Sequence, residues 1–184
     1  MTTTTQPYAD LDAINATIQA VTTDRALGEV RFTMHSESGG GATAHTHTGA
    51  LVQAGQPDQT RHGQFTVSSD EPVALLGTNT AIGPAEYVLH ALAGCYMVTL
   101  TSLAAARHIE LRHIELTLNF DIDLAGFLSV DHTVRKGAQN ISVDVTIDSP
   151  ANREQLEDLV GALEATSPIR DTLANPVPVN TRLC

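Results

Sequence analysis

The feature that most constrains this chain is the stretch from Gly83 to His108, GPAEYVLHALAGCYMVTLTSLAAARH. Gly83 and Pro84 open it with a helix-start signature, because a proline at the first helical position loses no hydrogen bond. Beyond them Val88, Leu89, Leu92, Tyr96, Met97, Val98, Leu100 and Leu103 leave almost no wet side. A helix that is apolar all round is a buried one. About 25 residues make a rod on the order of 37 Å long, and the rest of the chain must be arranged to cover it. Near its middle, flanked by Ala91, Ala93 and Gly94, stands a thiol, Cys95.

The flanking segments supply sheets and helices for that purpose. Residues 8–21 predict an amphipathic helix through Leu11, Ile14, Ile18 and Val21, within an N-terminal helical extension over 1–28. Val30–Met34, Ala50–Ala54 and Gln64–Ser68 read as short strands, and Gly39–Gly41 as a hairpin turn. Asp70–Ala81 reads as a loop. Ile114–Leu124 alternates, with Ile114, Leu116, Leu118, Phe120 and Ile122 on one face. Ile141–Ile147 repeats the pattern, and two strands with one wet face indicate antiparallel pairing. Ser149 and Pro150 look like an N-cap and N1 pair opening a helix with the stripe Leu156, Leu159, Val160 and Leu163. Asn175–Leu183 reads as a final edge strand, since Pro176 and Pro178 donate no backbone hydrogen bond. The order predicts one α+β domain over 1–184. One sheet covers only one side of the central rod, so a homodimer is expected, with the second subunit covering the other.

Composition narrows the function. Twenty-one acidic residues against 10 basic give a formal net charge of -11. That argues against a basic nucleic-acid-binding face and against docking on an anionic membrane. Glu86, His90, Thr99 and Thr101 interrupt the central rod, which disfavours a membrane span. The N-terminal MTTTTQPYAD lacks the basic and apolar regions of a secretory signal. Cys95 and Cys184 are the only cysteines, too few for a disulfide framework, so the expected compartment is a reducing cytoplasm.

Several residues are candidates for chemistry. Glu86 and His90 share a helix face, but they precede Cys95 by nine and five residues and point away from it around the helix. Either is then an accessory residue only across a subunit interface. His45 and His47 alternate as two ligands on a strand would, but no third ligand is near in sequence, so they read as solvated and no metal is expected. Asp121 and Asp123 lack the flanking ligands of a calcium loop, and the SGGGAT tract lacks the ending of a phosphate loop. Cys184, at the end of a tail, is an incidental thiol or a substitute resolving one.

Four blocks together carry a family resemblance. They are DEPVALLGTNTAIGPAEYVLHALAGC, AAARHIEL, DIDLAGFLSVDHTVRKGAQNISVDV and SPIRDTLANPVPV, running from Asp70 to Val179 within a resemblance that covers roughly residues 61–183. The chain resembles the OsmC/Ohr superfamily, among its OsmC-like proteins that lack the second cysteine. The resemblance implies curved antiparallel sheets wrapped around long central helices in an intertwined homodimer. It implies a thiol-dependent peroxidase reducing organic hydroperoxides without a cofactor, and it puts Cys95 on the nucleophile position. The resolving cysteine of two-cysteine members falls on Ser167. Their helix-opening glutamate falls on Ala85, with Glu86 one residue further on. Their activating arginine has no assigned counterpart, the loosely matching N-terminal third offering Arg25, Arg31 and Arg61.

Two functions are consistent with this pattern. The first is a peroxidase acting on a small apolar hydroperoxide, recycled by an external thiol reductant or by Cys184. The second keeps the fold as a dimeric binding protein for an apolar small molecule, its thiol vestigial.

Overall fold

The computed structural model describes residues 8–184, which fall into two compact units. One consists of Asp12–Tyr87; the other is Val88–Cys184 together with the N-terminal segment up to Leu11. The predicted first helix is α1 (Leu11–Thr23), with Leu11, Ile14 and Val21 half-buried and Ile18 exposed. Residues 1–7 of the expected N-terminal extension lie outside the described residues.

The Asp12–Tyr87 unit holds two small antiparallel sheets. The first orders β1 (Val30–Arg31), β4 (Leu51–Gln53) and β5 (Gln56–Asp58), with β4 central. The second orders β2 (Met34–Gly40), β3 (Thr43–Thr48) and β6 (Thr66–Ser69), with β3 central. The Val30–Met34 segment is thus divided between two sheets rather than forming one strand. Gly40 and Gly41 make the turn between β2 and β3, both at positive φ, where a side chain would strain the backbone. The Asp70–Ala81 loop is tied by one carboxylate. Buried Asp70 accepts hydrogen bonds from the backbone N–H groups of Glu71, Thr78 and Thr80 and from both threonine hydroxyls. The Thr78 hydroxyl first, then the Thr80 N–H, hold its carboxyl well below the ordinary range.

The other unit is built on α2 (Pro84–Ala106), whose start agrees with the expected Gly83–Pro84 signature. It ends in a Schellman motif, with Ile109 N–H to Ala104 O and His108 N–H to Ala105 O. His108 takes the left-handed position that glycine usually fills. A hairpin of β7 (His113–Asp121) and β8 (Asn140–Asp148) lies in full register, so Leu116 faces Val145, Leu118 faces Val143, and Phe120 faces Ile141. Ile122 falls beyond β7 and is 43% exposed, so it does not extend the apolar face. The connection carries the short helix α3 (Leu124–Phe127), capped by the Asp123 carboxylate. Asp123 is therefore an exposed helix cap rather than part of the alternating strand.

Helix α4 (Arg153–Thr166) starts later than Ser149–Pro150 suggests. Asn152 and Gln155 form a reciprocal capping box there, satisfying two backbone donors that a serine–proline pair leaves open. Ser149 instead gives its hydroxyl proton to Glu110 O. The expected edge strand after residue 174 does not form. The serine–proline signature that does open a helix is Ser167–Pro168, and it starts α5 (Pro168–Ala174), after which residues 175–184 have no regular structure.

The core joins one stripe of α2, Leu92, Tyr96, Leu100 and Ala104, to Leu111 and Ile114 and to Leu159 and Leu163 of α4. These α2 residues recur every four positions, so a single face is buried. The expectation that the helix is buried all round is not met within one chain, where Val98 remains 67% exposed.

Candidate functional site

Cys95 stands one residue, about 100° of helix, from the buried Tyr96, at the edge of the stripe that α2 turns to the core. It is half-buried. Its Sγ lies 3.2 Å from the Oγ of Ser167. Ser167 is 1% exposed and serves two helices, its N–H closing α4 on Leu163 O while its Oγ accepts the N–H of Arg170 and so caps α5. With that bond accepted, the hydroxyl still has its own proton to give, and sulfur is the partner within reach. The sequence brought Cys95 and Ser167 together only through a family resemblance, and the fold does so through the junction of α4 and α5.

The same junction adds residues that sequence reasoning missed. Arg170 occupies the third position of α5, and its guanidinium meets the Glu164 carboxylate at 3.5 Å. Both act on Tyr96. Burial first, then the negative Glu164, push its phenol above the ordinary value, while Arg170 pulls it down. Arg170, Glu164 and Tyr96 also line a cavity of about 630 Å³ whose walls include Leu92, Val143 and Leu163. The signal for Arg170 was present in SPIR. A serine N-cap and an N1 proline fix the start of a helix and so the place of its third residue.

The other candidates are distributed differently. Glu86 caps α2 by accepting the Gly83 N–H at 2.6 Å, a structural task. His90 is exposed. Cys184 is an exposed thiol at the end of the irregular tail. Arg61 lies over the Phe65 ring at 5.1 Å. Among the described residues no group of three ligands already stands placed to hold a metal ion. The one helix there that is long and apolar enough to cross a membrane is α2, which also supplies the main core stripe.

Residues 77–182 match the family model described as OsmC-like protein. Solved structures share the fold at low identity. An OsmC-like protein from Mycoplasma pneumoniae is 16% identical, with a TM-score of 0.60 over 78% of this chain and 87% of that one. The organic hydroperoxide resistance protein OsmC of Legionella pneumophila is 17% identical, with a TM-score of 0.56 over 78% and 88%. The organic hydroperoxide resistance protein OhrB of Bacillus subtilis is 19% identical, with a TM-score of 0.50 over 77% and 88%. No curated protein matches the chain.

Proposed function

Because the chain belongs to the OsmC-like protein family, we propose that it is a thiol-dependent peroxidase reducing organic hydroperoxides with Cys95 as its nucleophile. The observation that carries the reading is the Cys95–Ser167 pair at 3.2 Å. The thiol has a polar partner on the position where two-cysteine members resolve their sulfenic acid. The Cys95 thiolate attacks one oxygen of the O–O bond, the bond breaks, and the departing alkoxide takes a proton to leave as an alcohol. The sulfur, oxidised by two electrons, becomes a sulfenic acid. Ser167 has no thiol to close a disulfide. An external thiol therefore condenses with the sulfenic acid, releasing water, and a second thiol frees Cys95 as the external disulfide. This cycle fits a reducing compartment.

The proposed assembly is a homodimer. The α2 face bearing Ala91, Gly94 and Val98 is exposed in the single chain; the small Ala91 and Gly94 allow a second helix to approach closely, and Val98 offers it apolar surface. The test of the chemistry is dimedone trapping after one equivalent of cumene hydroperoxide. Labelling confined to Cys95 supports the reading. An unlabelled protein, with the hydroperoxide unconsumed, counts against it.

One observation favours the second reading, a binding protein for an apolar small molecule. The 630 Å³ cavity is lined by Tyr96 but not by Cys95. Ligand binding that survives Cys95→Ser in a protein without peroxide turnover would select it.

A further inference from the structure

Outside that site, the β2–β3–β6 sheet gathers three imidazoles that are far apart in sequence. His35 and His47 are direct cross-strand partners on one face, and their ring centroids are 5.3 Å apart. His62, from the turn before β6, stands 6.2 Å from the first and 6.3 Å from the second. The geometry points to a three-histidine site for a divalent metal ion of the zinc class, made by His35, His47 and His62.

The backbone under the three rings is fixed. The antiparallel ladder places His35 opposite His47. The turn carrying His62 is pinned on both sides to the residue after His47. The Thr48 hydroxyl donates to Arg61 O at 2.5 Å, and Gly63 N–H donates to Thr48 O at 2.7 Å. The side chains have room besides. Gly49 is buried beside His35, and a Cβ there would lie 2.9 Å from the His35 Nε2. The absent side chain leaves the ring its place.

The spacing suits the ion. A zinc–nitrogen bond of about 2.0–2.1 Å puts each ring centroid roughly 3.2 Å from the metal, so two imidazoles on a tetrahedral ion have centroids about 5.2 Å apart. The His35–His47 centroids lie at about that distance, but the two rings are stacked, 27° apart, and must turn to converge on one ion; His62 is about equally far from both, roughly 1 Å beyond it. The rings are not yet closed around a common point. Closing them takes rotation of side chains whose outer torsion is soft, with His35 and His62 both exposed. Three neutral imidazoles favour zinc, nickel or copper over magnesium or calcium, and leave a fourth position for water. The net charge of -11 favours the approach of a cation. His45, on the same strand, is engaged elsewhere, its Nδ1 lying 2.8 Å from the Ser68 Oγ.

The test is calorimetric titration of the untagged full chain with Zn²⁺ alone, repeated with Co²⁺ to read tetrahedral ligand-field absorption. One ion per chain is expected. His62→Ala should weaken binding by at least about tenfold, the scale at which even outer-shell partners of a metal count. His45→Ala should leave it unchanged. His62 is exposed, so its variant decides the matter even if His47→Ala fails to fold. Absence of binding in the wild type, or equal binding in His62→Ala and wild type, or equal losses in His45→Ala and His62→Ala, would overturn the site.

Discussion

The Sγ of Cys95 and the Oγ of Ser167 approach to 3.2 Å across the joint between α4 and α5, although 72 residues separate them. The hydroxyl occupies space that a second sulfur needs. A cysteine at 167 would therefore bring its sulfur beside the Cys95 Sγ, the approach a disulfide requires. Ser167→Cys is expected to lose about two mass units per chain after one equivalent of hydroperoxide, as an internal disulfide forms in place of a persistent sulfenic acid. Intact mass spectrometry of the variant and wild type reads the difference. A stable sulfenic acid in the variant would show the two positions to be wrongly paired.

Ser167 also holds the fold. Its Oγ is the N-cap of α5, and a lost serine cap costs about 0.5–2 kcal/mol. Ser167→Ala should lower unfolding free energy by that amount in a urea titration, with the midpoint falling and the slope unchanged. A variant as stable as wild type would mean that the cap contributes nothing.

Leu100 is fully buried at the centre of the α2 stripe. Leu100→Ala removes apolar contacts and leaves a cavity, which costs about 2–5 kcal/mol. Val98→Ala, at an exposed position on the same helix, should cost far less in a dissociated single chain and more in a dimer. Denaturation at two protein concentrations separates these cases, because stability drawn from assembly depends on concentration. A concentration-independent midpoint for both proteins would remove the proposed homodimer.

Asp70 sets an acid limit. Its folded carboxyl titrates well below the ordinary value, held there first by the Thr78 hydroxyl and then by the Thr80 N–H. The unfolded chain takes up this proton at about pH 4 while the folded one does not, so the contribution is complete above that value and declines below it. Asp70→Asn should melt earlier than wild type at neutral pH, with the gap shrinking as pH falls below about 4. Melting curves from pH 7 to pH 3 test the sign. A gap that widens in acid would contradict it.

The sequence made the α2 rod, the alternating β7 and β8 strands and Cys95 legible because each follows from local periodicity or from one residue type in an unusual setting. It misplaced the start of α4 because Ser149–Pro150 and Asn152–Gln155 compete, and only the second pair makes reciprocal bonds. It missed α5 because Ser167–Pro168 was read only as a replaced cysteine and not as an N-cap and N1 pair, and the edge strand expected over 175–183 does not form. With α5 went Arg170, whose place beside Tyr96 and Glu164 depends on two helices meeting. His47 was weighed only beside His45, and its grouping with His35 and His62 escaped for the same reason: strand register and a pinned turn bring them together, and sequence spacing does not record either.

The central claim is that Cys95 performs the chemistry alone in its chain. It is tested most directly by the rate of cumene hydroperoxide consumption with excess dithiothreitol, comparing wild type, Cys95→Ser and Cys184→Ser. The account predicts turnover in wild type, undiminished turnover in Cys184→Ser and none above background in Cys95→Ser. Equal rates in wild type and Cys95→Ser would contradict it.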